Sequence, residues 1–269
     1  MATDSSRRRL LRFRRKSKPS SRVEAMTVME HLRELRTRII ISALAFILIS
    51  VIAFFFYDPI QTFLRTPLCD VPRDRLGPQG CELVFTKPTG GFQFRLKLTA
   101  LVGLAVTSPI WIYQIYAFIV PALTSKEKRY SIPFLASSIL LFLVGTTFAY
   151  LTLPVGLRFL IELGGEGLVP LVDAESYLSF VGFLLLAFGL TFELPLLLVF
   201  LGLVGAVSVE QLRQHRKTAF VSTFVLAAVV TPSQDPYTMS IMAIPLYLLY
   251  ELTIIILRTV MRRRGVAQS

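Results

Sequence analysis

Three glutamates in this chain sit where a carboxylate is either held by bases or out of place. Glu34 lies in Met29-Glu30-His31-Leu32-Arg33-Glu34-Leu35-Arg36-Thr37-Arg38, among three arginines, with Arg38 four residues on as a favourable helical pair. Glu127 lies in Thr124-Ser125-Lys126-Glu127-Lys128-Arg129, again between cations. Such neighbours keep both carboxylates ionised. Each alone reads as a surface charge braced by its own bases. Together they have the chemistry to hold two guanidinium groups, because a carboxylate accepts the planar fork of arginine bidentately and lysine offers only a hydrated point charge. The third, Glu193, stands in Phe188-Gly189-Leu190-Thr191-Phe192-Glu193-Leu194-Pro195, inside an apolar run. An ionised side chain there costs about 3 kcal/mol or more, so it must face protein, water or a partner, or be protonated and hydrogen-bonded within the bundle. Pro195 removes a backbone donor and is expected to open the helix beside that carboxyl group.

The elements that position these groups are membrane spans. With 54% hydrophobic residues, 17% charged residues gathered in blocks and a mean hydropathy of +0.62, the chain is an integral membrane protein. A span needs about 20 apolar residues to cross a core of about 30 Å. Six segments qualify or nearly do, giving an all-α, polytopic fold: Ile39 to Tyr57, Leu98 to Val120, Ile132 to Leu153, Tyr177 to Val207, Ala219 to Val230 and Met239 to Leu257. Val28, Leu32, Leu35 and Ile39 share one helix face, so the segment holding Glu34 can lie on the lipid interface before the first span. The fifth segment is short, covering roughly 18 Å at 1.5 Å per residue. A locally thinned bilayer and a one-sided, cup-like bundle are the expected consequences.

Six spans place both termini on one side, and the bases choose which. With cytoplasmic termini, 22 of the 29 Lys and Arg residues fall on the cytoplasmic side, as the positive-inside rule requires. The net charge of +12 is then an orientation signal and an attraction to anionic lipid, not a nucleic-acid surface. Residues 1–28 read as a disordered basic tail, 29–258 as the membrane domain and 259–269 as a cytoplasmic tail. Ser6-Arg7-Arg8-Arg9 lacks the apolar core that an export signal places directly behind its arginines. An organellar transit peptide is a second reading of the tail, which is rich in Arg and Ser and poor in acids. Cys69 and Cys81 share the first outside loop, where an oxidising compartment allows a disulfide; two free thiols are the alternative. With His31 and His215 on the opposite face, the cysteines make no metal site.

Several motifs then occur in a fixed order: His31-Leu32-Arg33-Glu34-Leu35-Arg36; Ser108-Pro109 through Trp111, Tyr113-Gln114 and Phe118 to Pro121-Ala122-Leu123, leading into Lys126-Glu127-Lys128-Arg129; Phe148-Ala149-Tyr150; Ser176-Tyr177-Leu178-Ser179-Phe180; Phe192-Glu193-Leu194-Pro195; Thr231-Pro232; and Ala243-Ile244-Pro245. In this series the chain resembles the TatC family of twin-arginine translocase subunits, from Met29 to about Arg258. The resemblance implies a receptor for twin-arginine signal peptides of folded proteins, working with the single-span partners TatA and TatB and with other TatC copies in a prokaryotic cytoplasmic membrane. It places signal recognition at Glu34 and Glu127, with Phe118 nearby, and makes Glu193 a polar contact for a partner helix. Thr231 carries over as a polar position of the last turn, with Asp235 the counterpart of a family aspartate. A sixth-span position that some members use for partner contact reads Met239 here.

A lone carboxyl in a proline-bearing span also suits a proton-coupled secondary transporter using Glu193, but the sequence has no internal repeat and no second deep acid for a relay. An intramembrane enzyme would need a nucleophile with its base, or a metal cluster. No phosphate loop of the Gly-rich Lys-Ser/Thr type is present, and no cofactor is implied. Energy for transport is expected from the proton-motive force.

Overall fold

In a computed structural model of the chain, the structure describes residues 28–72, 76, 80–119, 131–165, 171–230 and 236–263. Among them run nine helices: α1 (Val28–Phe55), α2 (Tyr57–Cys69), α3 (Gly90–Val106), α4 (Ser108–Ile119), α5 (Ser131–Glu162), α6 (Ala174–Leu203), α7 (Val209–Gln214), α8 (Arg216–Val230) and α9 (Pro236–Arg263). The only extended pairing among the described residues is one bridge, Val84 to Asp173. The chain divides into two units, Met1–Thr37 and Arg38–Ser269. Of the first, the described residues are the opening of α1.

Apolar runs become helices because lipid offers no partner to a backbone N–H or C=O, so each segment must bond to itself. Among the described residues, four stretches are long and apolar enough to cross a membrane: Met29–Phe55, Ile132–Glu162, Ala174–Leu203 and Met239–Arg262. A fifth results if α3 and α4 count as one broken span.

Three sequence expectations change. The single second span is instead α3 and α4, which meet at 52° across Thr107. Pro109 cannot donate to the carbonyl four residues back and disfavours helical geometry at Ser108. Carbonyls at this break find side chains: Thr107 Oγ1 donates to Gly103 O at 2.7 Å and the Trp111 indole donates to Leu104 O at 3.2 Å. The opening expected at Pro195 does not form, for α6 runs through it. Thr253 Oγ1 of α9 donates to Pro195 O at 3.1 Å and so ties α9 to the helix there, although the carbonyl left without an N–H by Pro195 is that of Thr191. The fifth segment starts earlier than its apolar run, at Arg216, because polar residues extend α8 to 15 residues.

The segment between α1 and α3, expected as the first outside loop, is ordered in part. It folds in part as α2, which buries Leu64 and Leu68. Pro67 has no N–H for the Phe63 carbonyl, and the Tyr150 hydroxyl of α5 takes that carbonyl at 2.8 Å while its ring stacks on Phe63 at 4.5 Å. The buried Tyr177 hydroxyl of α6 donates to the next carbonyl, Leu64 O, at 2.7 Å. Cys69 and Cys81 are joined by a disulfide, with Cα atoms 5.0 Å apart, and Gly80 takes the left-handed turn beside it at φ 60°. Val84 then exchanges backbone bonds with the residues just before α6: its N–H donates to Val172 O at 3.0 Å and its carbonyl accepts from Ala174 N at 2.8 Å. Asp173 caps α6, accepting from Ser176 N and Ser176 Oγ at 2.9 Å and from Thr86 Oγ1 at 3.1 Å.

Candidate functional site

Glu193 is placed by a close approach of α5 and α6. A Cβ on Gly189 would lie 2.7 Å from the Phe142 ring, and one on Gly145 would lie 2.8 Å from the Phe188 carbonyl oxygen, so bare backbone at both positions lets the helices touch. One turn from Gly189 stands Glu193, and one turn from Phe142 stands Ser138. Ser138 Oγ donates to Glu193 Oε2 at 2.7 Å. The other carboxylate oxygen, Oε1, is buried and has no hydrogen-bond partner among the described residues.

That carboxyl group borders a cavity of about 270 Å³ between α4, α5 and α6. Its walls are mostly apolar. Tyr116, Phe134 and Phe200 line one end with ring centroids 5.5 Å apart, and Trp111, packed edge-on against Phe142 at 5.3 Å, lines the other. Glu193 is the one acidic or basic side chain among the described residues of the wall. The arrangement can offer one strong hydrogen bond to an apolar guest, and it holds no second acid with which to relay a proton.

Sequence reasoning marked Glu193 but missed Ser138, although a serine pair at Ser137 and Ser138 inside an apolar span is itself a signal for a hydrogen bond. It also missed Gln114, buried on α4, whose Oε1 accepts from Arg38 Nη1 at 3.1 Å. Glu251 braces the last two helices, accepting from Arg216 at 2.7 Å and from the Tyr247 hydroxyl at 3.0 Å. Of the recognition residues, Glu34 is half-buried on α1 in the smaller unit and Phe118 is half-buried in the last turn of α4 in the larger. Glu127, Thr231 and Asp235 lie outside the described residues. Among the described residues, no group of three or more His, Cys, Asp or Glu gathers as a metal site would require.

The sequence matches, over residues 30–245, the family described as Sec-independent protein translocase protein (TatC). The chain belongs to the TatC family. A TatC of Frankia casuarinae is 46% identical over 237 residues, which make up 86% of this chain and 65% of that protein, so the chain spans less than two thirds of that relative. A TatC of Aquifex aeolicus is 41% identical over 247 residues, covering 91% of this chain and 100% of that protein. Among solved structures, a crystal structure of the twin arginine translocase receptor TatC in DDM superposes with a TM-score of 0.70 at 42% identity, covering 84% of this chain and 99% of that one. TatC relatives are named as protein translocase components, which are transport proteins. With its several apolar helices, the chain is a membrane protein of that family.

Proposed function

We propose that this chain is the signal-peptide receptor and core subunit of a twin-arginine export system, moving folded proteins across a prokaryotic cytoplasmic membrane with TatA, TatB and other TatC copies at the expense of the proton-motive force. The observation that carries the reading is the likeness to the twin arginine translocase receptor over nearly the whole of that chain. The topology is six spans with cytoplasmic termini, in which α3 and α4 form one bent span and α8 is a short fifth, within a cup-like bundle. Glu34 and Glu127 hold the paired arginines of the signal, and Phe118 packs beside them. The chemistry favours arginine because each guanidinium meets a carboxylate with two parallel bonds and stays charged at any working pH. Glu193 offers its unpartnered oxygen to a polar group of a partner helix, and Thr231 and Asp235, which precede α9 in the sequence, are further polar positions for partner contact. No catalytic step and no cofactor enter this account.

The test is export of a folded, fluorescent reporter carrying a twin-arginine signal, in cells whose only TatC is this chain. Glu34→Ala and Glu127→Ala each abolish export at unchanged membrane abundance. Full export by both variants would sink the receptor assignment.

A further inference from the structure

The corner between α7 and α8, together with the end of α9, carries bases that the proposed recognition does not use. Arg213, Arg216 and Lys217 are exposed at the corner, and Arg258 and Arg262 are exposed on the last turns of α9. Packing brings the two groups to one place. Val209 and Leu212 of α7 bury against Tyr250, Ile254 and Leu257 of α9, and the Tyr250 hydroxyl donates to Leu212 O at 2.6 Å. Arg216 bonds Glu251 on α9. Arg258 and Arg262 follow Glu251 by seven and eleven residues, so they continue the same helix face that meets the start of α8. Among these described residues the opposing acids are Glu210, 3.8 Å from Arg213, and Glu251.

Apart from the Arg216 bond to Glu251, the position of these bases does not favour α8 itself. Cations in the first turn oppose the helix dipole, and no acid accompanies them there. Apolar strips lead away from the same residues toward the bilayer. From Lys217 the strip on α8 runs through Val221 and Val225, 59% and 58% exposed. From Arg258 the strip on α9 runs through Ile255 and Leu252, both exposed. A base at the end of an exposed apolar strip matches a phosphate with its acyl chains, and two such strips side by side match one lipid with two chains.

We propose that this corner binds the headgroup of an anionic phospholipid of the adjacent leaflet, its acyl chains lying on the α8 and α9 strips. Free phosphate would use the bases alone and leave the strips idle. A diffuse attraction of all the cytoplasmic bases would depend equally on the amino-terminal tail; the corner site does not.

The experiment titrates the purified full chain in mild detergent with phosphatidylglycerol or phosphatidylcholine and counts bound lipid by native mass spectrometry. Lys217→Gln with Arg258→Gln removes two bases for which Arg216 and its Glu251 partner are left intact. Arg8→Gln with Arg9→Gln removes the same charge from the tail. The expected result is a preference of the native chain for phosphatidylglycerol that falls roughly twenty-five-fold in the corner variant, at about fivefold per base, and is unchanged in the tail variant. Melting curves of both variants should match the native one. Equal losses in the two variants, native-like binding by the corner variant, or displacement of the lipid by inorganic phosphate would each overturn the proposal.

Discussion

The two ends of the α5–α6 pair are built differently. At the end that meets α2, the carbonyls beside Pro67 and the start of α6 find partners, although the buried Arg95 Nε has none among the described residues. Two tyrosine hydroxyls take the carbonyls beside Pro67, Asp173 accepts three bonds, and a disulfide and a backbone bridge tie the loops together. One ion pair, Lys97 to Glu175, joins α3 to α6 there. Toward the other end the same two helices border an apolar cavity in which one carboxylate oxygen is buried without a partner. The first end fixes the helices, and the second leaves a buried acceptor open at a cost in stability, where the proposed partner contact lies.

Breaking the disulfide should have the largest effect. Cys69→Ser with Cys81→Ser is expected to lower unfolding stability by about 3 kcal/mol in mixed micelles, with faster amide exchange at Val84 and Ala174 and little change around Glu193. Exchange rising equally at both ends would show that they are one unit, not two. Tyr177→Phe keeps the buried ring but strips Leu64 O of its donor, and should cost about 1 kcal/mol in the same assay. A neutral result would mean that the hydroxyl does not hold α2.

A smaller effect should follow pH. The Ser176 amide and hydroxyl, with Thr86, hold the Asp173 carboxyl below its usual range. A depressed carboxylate stabilises the fold fully above its unfolded value of about 3.9 and loses that contribution as pH falls through the lower folded value. The protection of the Ser176 amide, taken against its intrinsic exchange rate at each pH, should therefore fall in acid, and Asp173→Asn should flatten the dependence; a native chain whose protection is indifferent to acid would remove the cap from the account. Glu193→Leu should have the least effect on stability, within about 0.5 kcal/mol of the native chain, since removing a buried oxygen without a partner among the described residues offsets the loss of the Ser138 bond. A loss as large as that of Tyr177→Phe would erase the contrast between the two ends.

Much of this fold is legible in the sequence because lipid leaves few choices. Uncharged runs of about 20 residues become helices, and blocks of bases mark their ends. What stays hidden depends on partners distant in sequence. The bend at Thr107 follows from a local proline, yet Pro195 sits in an unbroken helix packed by residues distant in sequence, among them Thr253 of α9, 58 residues away. Local chemistry alone cannot rank those two prolines. α2 is likewise obscured, since its burial and its hydroxyl partners come from α5 and α6. Within the candidate site, a carboxyl group amid apolar residues announces Glu193, while the cavity beside it is a product of three helices and of two glycines that let α5 and α6 touch. The pairing of Glu34 with Glu127 remains an argument from chemistry and family likeness.

That argument is tested most directly by binding of a labelled twin-arginine signal peptide to the purified chain in lipid, beside a twin-lysine peptide, with Glu34→Ala, Glu127→Ala and Glu193→Leu as variants. The account predicts a preference for arginine that weakens with salt and an affinity that falls roughly tenfold to a hundredfold in either of the first two variants. Equal binding of both peptides, indifferent to Glu34 and Glu127, would contradict it.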